Sequence, residues 1–437
     1  MKNSYKSAGA YELKRFDVID IENENRSYDL KNITYSFNIY ESILNASVRG
    51  TATVYDAVGV YYNAPLRGQE KIIIEYIDSL GVTHEDIFFL YSITDVRPSK
   101  YNSNDILEYK IHFVSMGKFW SERHSVSRCV AENTGKLRTY LPISDQVGVI
   151  FNDYYSEGTQ KSINISNTDG PQKIVIPNLS PEESIHLLSR KAYSSSTNGQ
   201  LFRFFENRKE YRFSNLEELF SEKRNDSKEY YYNTSIIDNS PDQELDKLNR
   251  IITLDLGESV NTIEVMKSGG YNRKYIELDV LSRVTNTYDH DQTVSHDDFE
   301  YPDGKGDKIN LTHSKSFIST HLNNEQTVYG IKDYSDRDKK MSYGIRPHVY
   351  YGDIYNNKSA LSYHYRQSKI KASVYGSNEL FAGEMIKINY MPMFGLNQGE
   401  TRDEERIGYY LVESVDNVFF ENQYTQNLTL VKGGFLK

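Results

Sequence analysis

A short strand pattern occurs twice in the sequence, once near each end of a chain of 437 residues. Residues 66–76 align without gaps with residues 380–390. The identical pairs are Leu66 with Leu380, Glu70 with Glu384, Ile72 with Ile386, Ile74 with Ile388 and Tyr76 with Tyr390. In each copy a turn precedes a strand that has apolar side chains at alternate positions. The same small β unit is therefore predicted at both ends of the chain.

The likeness continues beyond these two segments. Residues 90–93 and 412–415 have similar apolar patterns, and a closing strand follows each of them, with Ile111 and Phe113 corresponding to Leu428 and Leu430. Two interpretations are open, a duplicated small barrel or the ordinary similarity of any two β hairpins, because patterns this short are weakly specific. We favour the duplicated barrel, with a mixed domain between its two copies.

The first hundred or so residues have the period-two pattern of half-buried strands. It is found at 18–21, 33–43 and 46–57, and in the second of these Ile33, Tyr35, Phe37 and Ile39 are predicted to share one face. Further strands follow to about residue 113. Six or so strands in this length predict a barrel or a sandwich.

The middle of the chain has signals for both helices and strands. Ser180 with Glu183, and Ser214 with Glu217, have the spacing of capping boxes that begin helices. Residues 201–205 and 210–213 are predicted to form a hairpin across 207–209. A third helix is predicted to begin at Ser240-Pro241, with Leu245, Leu248 and Ile252 as its buried side. Residues 288–340 are rich in Asp, Asn, His, Ser and Gly, which indicates a long exposed excursion or loop.

The charge and hydropathy of the chain exclude two classes of protein. Lys and Arg number 51 and Asp and Glu number 61, which gives a dispersed net charge of −10 at pH 7. A protein that binds nucleic acid without regard to sequence needs a basic face, and none is indicated. The apolar runs are much shorter than the roughly 20 residues that a membrane helix needs. The 37 Tyr residues against 1 Trp favour strands and surfaces that become interfaces.

Catalytic motifs are absent from the sequence. There is no G-x-S-x-G, P-loop, H-E-x-x-H or C-x-x-C pattern. The lone cysteine, Cys129, is near His124 in sequence, but a single cysteine without further signals is interpreted as structural. No catalytic residue and no cofactor-binding residue are therefore predicted.

Two kinds of residue cluster have side chains that occur in binding sites. Acidic and histidine-rich clusters occur at 289–291, 296–298 and 303–307, but they lack calcium-loop spacing and its closing Glu, so no metal site is predicted. Tyr230-Tyr231-Tyr232 and Tyr350-Tyr351 could stack on sugars or bases, and strand cores or subunit contacts are the favoured interpretation.

The sequence resembles the baseplate hub protein of contractile-tailed phages of the T-even type, a family related to the N-terminal hub part of type VI secretion spike proteins. The C-terminal stretch carries most of the resemblance, at 369–376, 380–384, 408–415 and 424–430. Further positions of the family pattern are at 56–57, 68–70, 177–219, 268–272 and 276–280. The likeness is one of order and pattern over most of the chain.

The resemblance implies a mainly β fold with an α+β insertion, in which two similar small β-barrels, the tube domains, flank a mixed middle domain. The second barrel would be discontinuous, with a loop-rich excursion attached to the middle domain. The predicted limits are 1–117 for the first barrel, 118–249 for the middle domain, 250–285 for the first strands of the second barrel, 286–357 for the excursion and 358–437 for the rest of the second barrel.

The function implied by the resemblance is structural, not enzymatic. Three copies would form a pseudo-sixfold ring that joins a threefold central spike to the sixfold tail tube of a virion. The implied partners are the chain itself, the spike, the tube protein, the baseplate wedge proteins and genomic DNA, which would pass through the lumen without specific binding. The three copies would carry three times −10, or −30, and Glu70, Glu75 and Glu384 are candidates to line the bore.

Three alternatives stay open at this point. One is a tail-associated peptidoglycan hydrolase, which the missing motifs disfavour. Another is a carbohydrate-binding or receptor-binding β protein, for which the tyrosine-rich strands are the only support. The third is the hub of a phage-like secretion or injection particle; no needle repeats follow residue 437, which favours a separate spike protein and so a phage baseplate.

Overall fold

The structure is a computed structural model that describes the following residues: 7–21, 26–64, 66–98, 106–134, 137–197, 200–232, 248–257, 263, 272–279, 284–291, 299, 301, 329–331, 358, 361–366, 368–377, 379–390 and 407–433. The predicted fold class, mainly β with an α+β insertion, is confirmed. The limits of the domains stay a prediction.

The N-terminal part consists of strands and one short helix. Its elements are β1 (Glu12–Asp20), β2 (Ser27–Asp29), β3 (Thr34–Ser42), β4 (Arg49–Asp56), α1 (Val60–Asn63), β5 (Glu70–Ile77), β6 (Thr83–Pro98) and β7 (Leu107–Ser115). Inward side chains from β1 and from β3 to β7 share one buried cluster, so the sheet must curve around a common interior. No pairing among the described strands closes it into a separate barrel.

One side chain of this part departs from the predicted alternation. Phe37 and Ile39 are buried as expected, but Tyr35 is 47% exposed. The register between β3 and β4 shifts between Thr34 and Ser36. This β-bulge inserts an extra residue, which turns the Tyr35 side chain out of the core face.

The middle part combines helices with short strands. Its elements are α2 (Met116–Ser121), β8 (Ala131–Thr134), β9 (Leu137–Tyr140), α3 (Ile143–Tyr154), β10 (Ile163–Ile165), α4 (Pro181–Lys191), β11 (Phe202–Glu206), β12 (Tyr211–Asn215), α5 (Leu216–Arg224) and β13 (Lys228–Tyr232). The sheet β10-β12-β11 and helices α3 and α4 share one apolar cluster. Across the described residues, no helix combines the length and apolarity that crossing a bilayer takes.

The predicted cap is correct for α4, the second predicted helix is present with a different cap, and one residue assigned to the third helix lies elsewhere. Ser180 and Glu183 form the predicted capping box of α4. Helix α5 is capped by Asn215, whose side chain accepts from the Glu217 backbone N–H, and not by Ser214, because Ser214 is still paired in the hairpin. Ile252 lies in a strand and is 42% exposed, so it is not the buried side of a third helix. The proposed start of that helix lies outside the described residues.

The C-terminal part returns to strands. Its elements are β14 (Ile251–Asp255), β15 (Asn272–Asp279), β16 (Val284–Asp291), β17 (Tyr329–Ile331), β18 (Ser368–Tyr375), β19 (Met385–Tyr390), β20 (Gly408–Phe420) and β21 (Gln423–Lys432). Strand β14 pairs with β18, whereas β15 pairs with β16 and β17 in a separate sheet. Of the strands predicted within 250–285 for the second barrel, only β14 is paired in the large sheet.

The predicted exposed excursion is partly ordered structure. Residues 284–291 and 329–331 are strands, and Phe299 and Tyr301 are buried against α5 residues such as Phe220. The Arg224 guanidinium donates to the Tyr301 carbonyl at 2.6 Å. Most of the remaining segment lies outside the described residues. At Phe299 and Tyr301 the prediction of exposure is therefore wrong, because these aromatic side chains pack into a core on a distant element.

The two ends of the chain have the same strand plan. Strands β5, β6, β7 and β4 are successive antiparallel neighbours, and so are β19, β20, β21 and β18. Ile72 is opposite Phe88 in the first set, and Ile386, its partner in the sequence alignment, is opposite Tyr410 in the second. From these pairs, Leu90 corresponds to Val412, as the sequence comparison predicted.

The irregularities of the two halves of the large sheet, β3 to β7 in the N-terminal half and β14 with β18 to β21 in the C-terminal half, also coincide. A register shift between Leu90 and Ser92 in β6 is matched by one between Val412 and Ser414 in β20. The shift in β3 at Tyr35 is matched in β14 at Ile252. Bulges are rarely shared by unrelated hairpins at the same register. The match therefore supports duplication of a five-strand unit, with β3 equivalent to β14 and β4 to β18.

Candidate assembly site

The two halves are joined by direct strand pairing. The second part of β20 leaves its own half and pairs antiparallel with β3, from Ser414 opposite Ser42 to Phe420 opposite Ser36. One sheet of 13 strands results, so the two predicted barrel units share a continuous sheet. We call this contact the joint.

Aromatic rings close the inner side of the joint. Phe419 of β20 stacks on Phe37 of β3, with ring centroids 4.3 Å apart, and on Tyr424 of β21, with centroids 4.2 Å apart. All three side chains are buried. Because Phe419 and Tyr424 come from the C-terminal half, that half supplies part of the N-terminal core. Burial of such rings contributes a few kcal/mol each, which makes the joint a stable contact.

Amide side chains add polar contacts to the joint. The Asn38 side chain donates to Asp416 at 3.2 Å, and the buried Asn417 side chain donates to the Ile39 carbonyl at 3.0 Å. The Ser42 hydroxyl donates to the Glu413 carbonyl at 3.2 Å. These contacts fix the register, because a slip of one residue would turn each side chain to the opposite face.

An arginine from the middle part enters the joint from its inner side. Arg208 lies in the turn of the β11–β12 hairpin, and its side chain is only 5% exposed. It donates to Glu41 at 2.8 Å and to Asn417 at 3.2 Å. It also donates to the hydroxyls of Tyr76 at 2.7 Å and Tyr424 at 2.9 Å. One side chain of the middle part thus contacts both halves of the sheet.

The electrostatics of this cluster keep the guanidinium charged. Burial by itself lowers the pKa of Arg208, but the oxygens of Tyr424, Tyr76 and Glu41 raise it well above its ordinary value. Glu41 is fully buried and forms an ion pair with Arg208; burial raises the pKa of Glu41, and the charge and hydrogen bonds of Arg208 oppose that rise. A buried charge of this kind is tolerated only when it is paired and fully hydrogen-bonded.

Neighbouring residues hold the same hairpin in place. The Glu206 carboxylate accepts from the Val48 backbone N–H at 3.0 Å and from Lys161 at 2.7 Å. The Asn207 side chain accepts from two backbone N–H groups of its own turn, at Lys209 and Glu210. The turn is thereby rigid and Arg208 is presented in one geometry.

The outer side of the joint is a row of side chains that includes no Lys, Arg, Asp or Glu. The row crosses seven strands in register, and every member is half-buried. Its members are Tyr375, Thr425, Val418, Asn38, Thr51, His112 and Ser92. At this level the exposed face of the joined sheet is therefore mostly polar, with no permanently charged side chain.

Two of the three predicted lumen carboxylates have other roles. Glu70 is 6% exposed and accepts from the backbone N–H groups of Arg67, Gly68 and Gln69, so its prediction as an outward residue is wrong. The turn before β5 needs this acceptor. Glu384 forms an ion pair with Lys223 of α5 at 3.1 Å. Glu75 is half-buried in β5, and its placement in a bore stays a prediction.

The residues considered for catalysis and metal binding do not form a site among the described residues. Cys129 is half-buried and unpaired, and His124 packs on Tyr154 with ring centroids 5.4 Å apart. No group of three or more His, Cys, Asp or Glu in the described part of the chain could hold a metal ion. The clusters at 296–298 and 303–307 lie outside the described residues.

The tyrosine run at 230–232 belongs to the interior of the second half. Tyr230 is buried in the apolar cluster of β18 to β21, and burial raises its pKa. The ring of Tyr232 stacks on that of Tyr390, with centroids 5.8 Å apart, and the Tyr231 hydroxyl donates to the Glu229 carboxylate. These contacts fit the favoured interpretation, a strand core. Tyr350 and Tyr351 lie outside the described residues.

Two features of the site were not found from the sequence. Arg208 was assigned only to a turn, and no local pattern marks it as a buried contact residue. The equivalence of β4 and β18 was also missed, although residues 51–56 (TATVYD) and 371–376 (KASVYG) are visibly alike. The structural register brings Ala52 and Ala372 to matching positions, opposite Ile111 and Leu428.

Comparison with known proteins gives a likeness in structure alone. No protein-family model matches the chain, and no curated protein matches its sequence. The tail protein from Neisseria meningitidis MC58 superposes with a TM-score of 0.52 at 7% identity, over 98% of each chain. The 43 kDa tail protein of prophage MuSo2 from Shewanella oneidensis gives 0.49 at 7% identity, over 97% of this chain and 100% of that chain.

A third similar structure is the E. coli c3393 protein, a component of the type VI secretion system, with a TM-score of 0.42 at 9% identity, over 98% of this chain and 79% of that chain. The likeness to the Neisseria protein shows a shared fold across nearly the whole chain. The resemblance to phage tail proteins that the sequence indicated is thereby confirmed at the level of the fold.

Proposed function

We propose that the chain is a structural protein of a contractile phage tail, the hub at the centre of its baseplate. Three copies form a ring, and each contributes two matched halves, so that six near-equivalent units surround a lumen. The observation that carries the proposal is the duplication, which extends to two bulges at equivalent positions. The fold shared with a tail protein supports it.

The duplication offers a solution to a symmetry mismatch. A threefold spike below and a sixfold tail tube above cannot contact one another through equivalent surfaces. A trimer whose subunits each carry two similar units presents threefold and near-sixfold surfaces at once. The partners under this proposal are the spike, the tube protein and the baseplate wedge proteins, and the location is the tail baseplate of the virion.

The surface of the joint suits a channel for DNA. The row across the joint contains no Lys or Arg, the side chains that hold the phosphate backbone of DNA regardless of sequence, and the nearest cations on the same face, Arg49 and Lys110, lie one level to either side of it. The net charge of −10 per chain would add a mild repulsion. DNA would then pass through the lumen without specific binding. In this role the chain does mechanical and electrostatic work and is not an enzyme.

The first test is the mass of the purified protein by light scattering, alone and with its presumptive spike. The expected result is a species of three times the 50.7 kDa chain mass, with six lobes around a bore in a low-resolution image. Both conditions are needed because a weak ring interface can require the spike. A monomer under both conditions would overturn the proposal, and so would a ring with three lobes.

A further inference from the structure

Two strand edges of the large sheet have no described partner. Strand β6 pairs with β5 only as far as Phe89, and no described strand pairs with that edge from Leu90 to Pro98. Strand β14 pairs with β18 on one side, and no described strand pairs with its other side between Thr253 and Asp255. These two strands end the run of eight strands β14-β18-β21-β20-β3-β4-β7-β6.

The duplication shows what these edges correspond to. Strand β6 is equivalent to β20, and β14 is equivalent to β3. In the joint, β20 pairs with β3 within one chain. The free edge of β6 is therefore equivalent to the edge of β20 that pairs in the joint, and the free edge of β14 is equivalent to the edge of β3. The two free edges lie at opposite ends of the run, and no described strand of the same chain pairs with them.

We propose that β6 of one copy pairs antiparallel with β14 of a second copy, in the register of the joint. This inference rests on the proposed ring and names the contact that builds it. Because the two surfaces differ, each copy uses β6 toward one neighbour and β14 toward the other. Such head-to-tail contacts form a closed ring when the rotation between copies closes.

The register of this contact follows from the equivalent pairs. Thr94 corresponds to Asp416, which is opposite Tyr40 in the joint; when the register of β14 is continued two residues past its end at Asp255, Gly257 takes the place of Tyr40. Beyond Thr94, β6 has an extra residue, since its register with β7 shifts again before Arg97 and Asp95 has a φ of 57°.

Past the extra residue, Arg97 corresponds to Val418, because Arg97 is opposite Glu108 in β7 and Val418 is opposite Thr425 in β21. In the joint Val418 is opposite Asn38, whose counterpart in β14 is Asp255. The contact therefore places Arg97 of one copy directly opposite Asp255 of the next.

The chemistry of the two edges fits this pairing. Arg97 and Asp255 are opposite in charge, and an opposite-charge pair across strands is favourable. Arg97 is already oriented by Glu108 at 2.8 Å. The edges also expose apolar side chains, with Val96 at 41% and Ile252 at 42%. Burial of these two apolar side chains in a contact between copies would be favourable.

The test is a disulfide across the predicted contact. Cys129 is first replaced by Ser, and Arg97→Cys and Asp255→Cys are then combined in one chain. Because directly opposite residues lie within disulfide distance, oxidation is expected to give reducible covalent dimers and trimers. The matched control combines Arg97→Cys with Leu256→Cys. A shift of one residue turns that side chain to the other face of the sheet, so no covalent product is expected.

A second measurement needs no substitution. Hydrogen exchange of the wild-type protein is compared in the assembled and the dilute state, and residues 92–98 and 253–257 are expected to gain at least about tenfold protection on assembly. A trimer by light scattering without the disulfide and without this protection would overturn the strand pairing and leave the proposed function standing. A monomer with no disulfide would overturn both.

Discussion

Replacement of Arg208 by Met tests whether the buried arginine holds the three parts of the chain together. Met has similar length and no hydrogen-bond donor, so the change removes the contacts to Glu41, Asn417, Tyr76 and Tyr424. The buried Glu41 would keep only the Asn417 side chain at 3.2 Å and a backbone N–H at 3.5 Å. Removing one partner of a buried ion pair costs about 3–5 kcal/mol. We expect a loss of that size in the free energy of unfolding.

The assay is urea unfolding followed by far-UV circular dichroism and by fluorescence of Trp120, with the slope checked for constancy. The matched control is Arg128→Met, which removes an exposed ion pair with Asp153 and should cost less than about 1 kcal/mol. In the double variant Arg208→Met with Glu41→Gln, the neutral amide removes the unpaired charge. The double variant should therefore lose less unfolding free energy than the two single variants lose together. A loss below about 1 kcal/mol for Arg208→Met, or strict additivity, would refute the reasoning.

Three further outcomes are expected. Burial lowers the pKa of Lys358 to about 7, so above that pH the folded chain binds fewer protons than the unfolded chain. Urea midpoints should therefore show the stability of the wild type, relative to Lys358→Met, rising with pH up to about pH 10.4, by at most ~1.4 kcal/mol per pH unit. Burial raises the pKa of Glu182, but the nearby His186 and the hydrogen bond from Lys118 outweigh it and lower the pKa to about 2. Stability should therefore fall as pH drops from about 4.5 toward 2, and less steeply in Glu182→Gln, in acid titrations followed by circular dichroism. Gly257 has a φ of +64°, and an added Cβ would lie 1.8 Å from the Lys369 carbonyl oxygen. Gly257→Ala should therefore lower the free energy of unfolding by more than about 2 kcal/mol in thermal unfolding. The loss should exceed that of Gly81→Ala, where the added atom meets nothing within 4 Å.

The duplication could be predicted from sequence because its signal is local. Alternating apolar side chains and the shared Leu, Glu, Ile and Tyr positions lie within segments of eleven residues, and each strand needs only its own residues to satisfy the pattern. The buried Ile72 and Ile386 occupy the same place in both halves, as the alignment requires. Local caps were predictable to the same degree, as Ser180 shows.

The errors have a common cause, which is that a local pattern was overruled by a partner distant in sequence. Tyr35 fits the alternation, but the bulge against β4 turns it outward. Ser214 has the spacing of a cap, but pairing with β11 extends the strand past it. Ile252 has helical spacing from Leu248, but β18 recruits it into a sheet.

The sequence by itself determined the strands, their inward faces and their repetition, because side-chain polarity sets which face of a strand is buried. Only the tertiary structure decided which strand edges meet. Backbone N–H and C=O groups are the same in every residue, so pairing of β20 with β3 across more than 370 positions leaves no mark in the local sequence. The role of Arg208 is hidden for the same reason, because its partners come from both ends of the chain. The free edges of β6 and β14 are hidden as well, because an edge is free only when no described strand lies beside it.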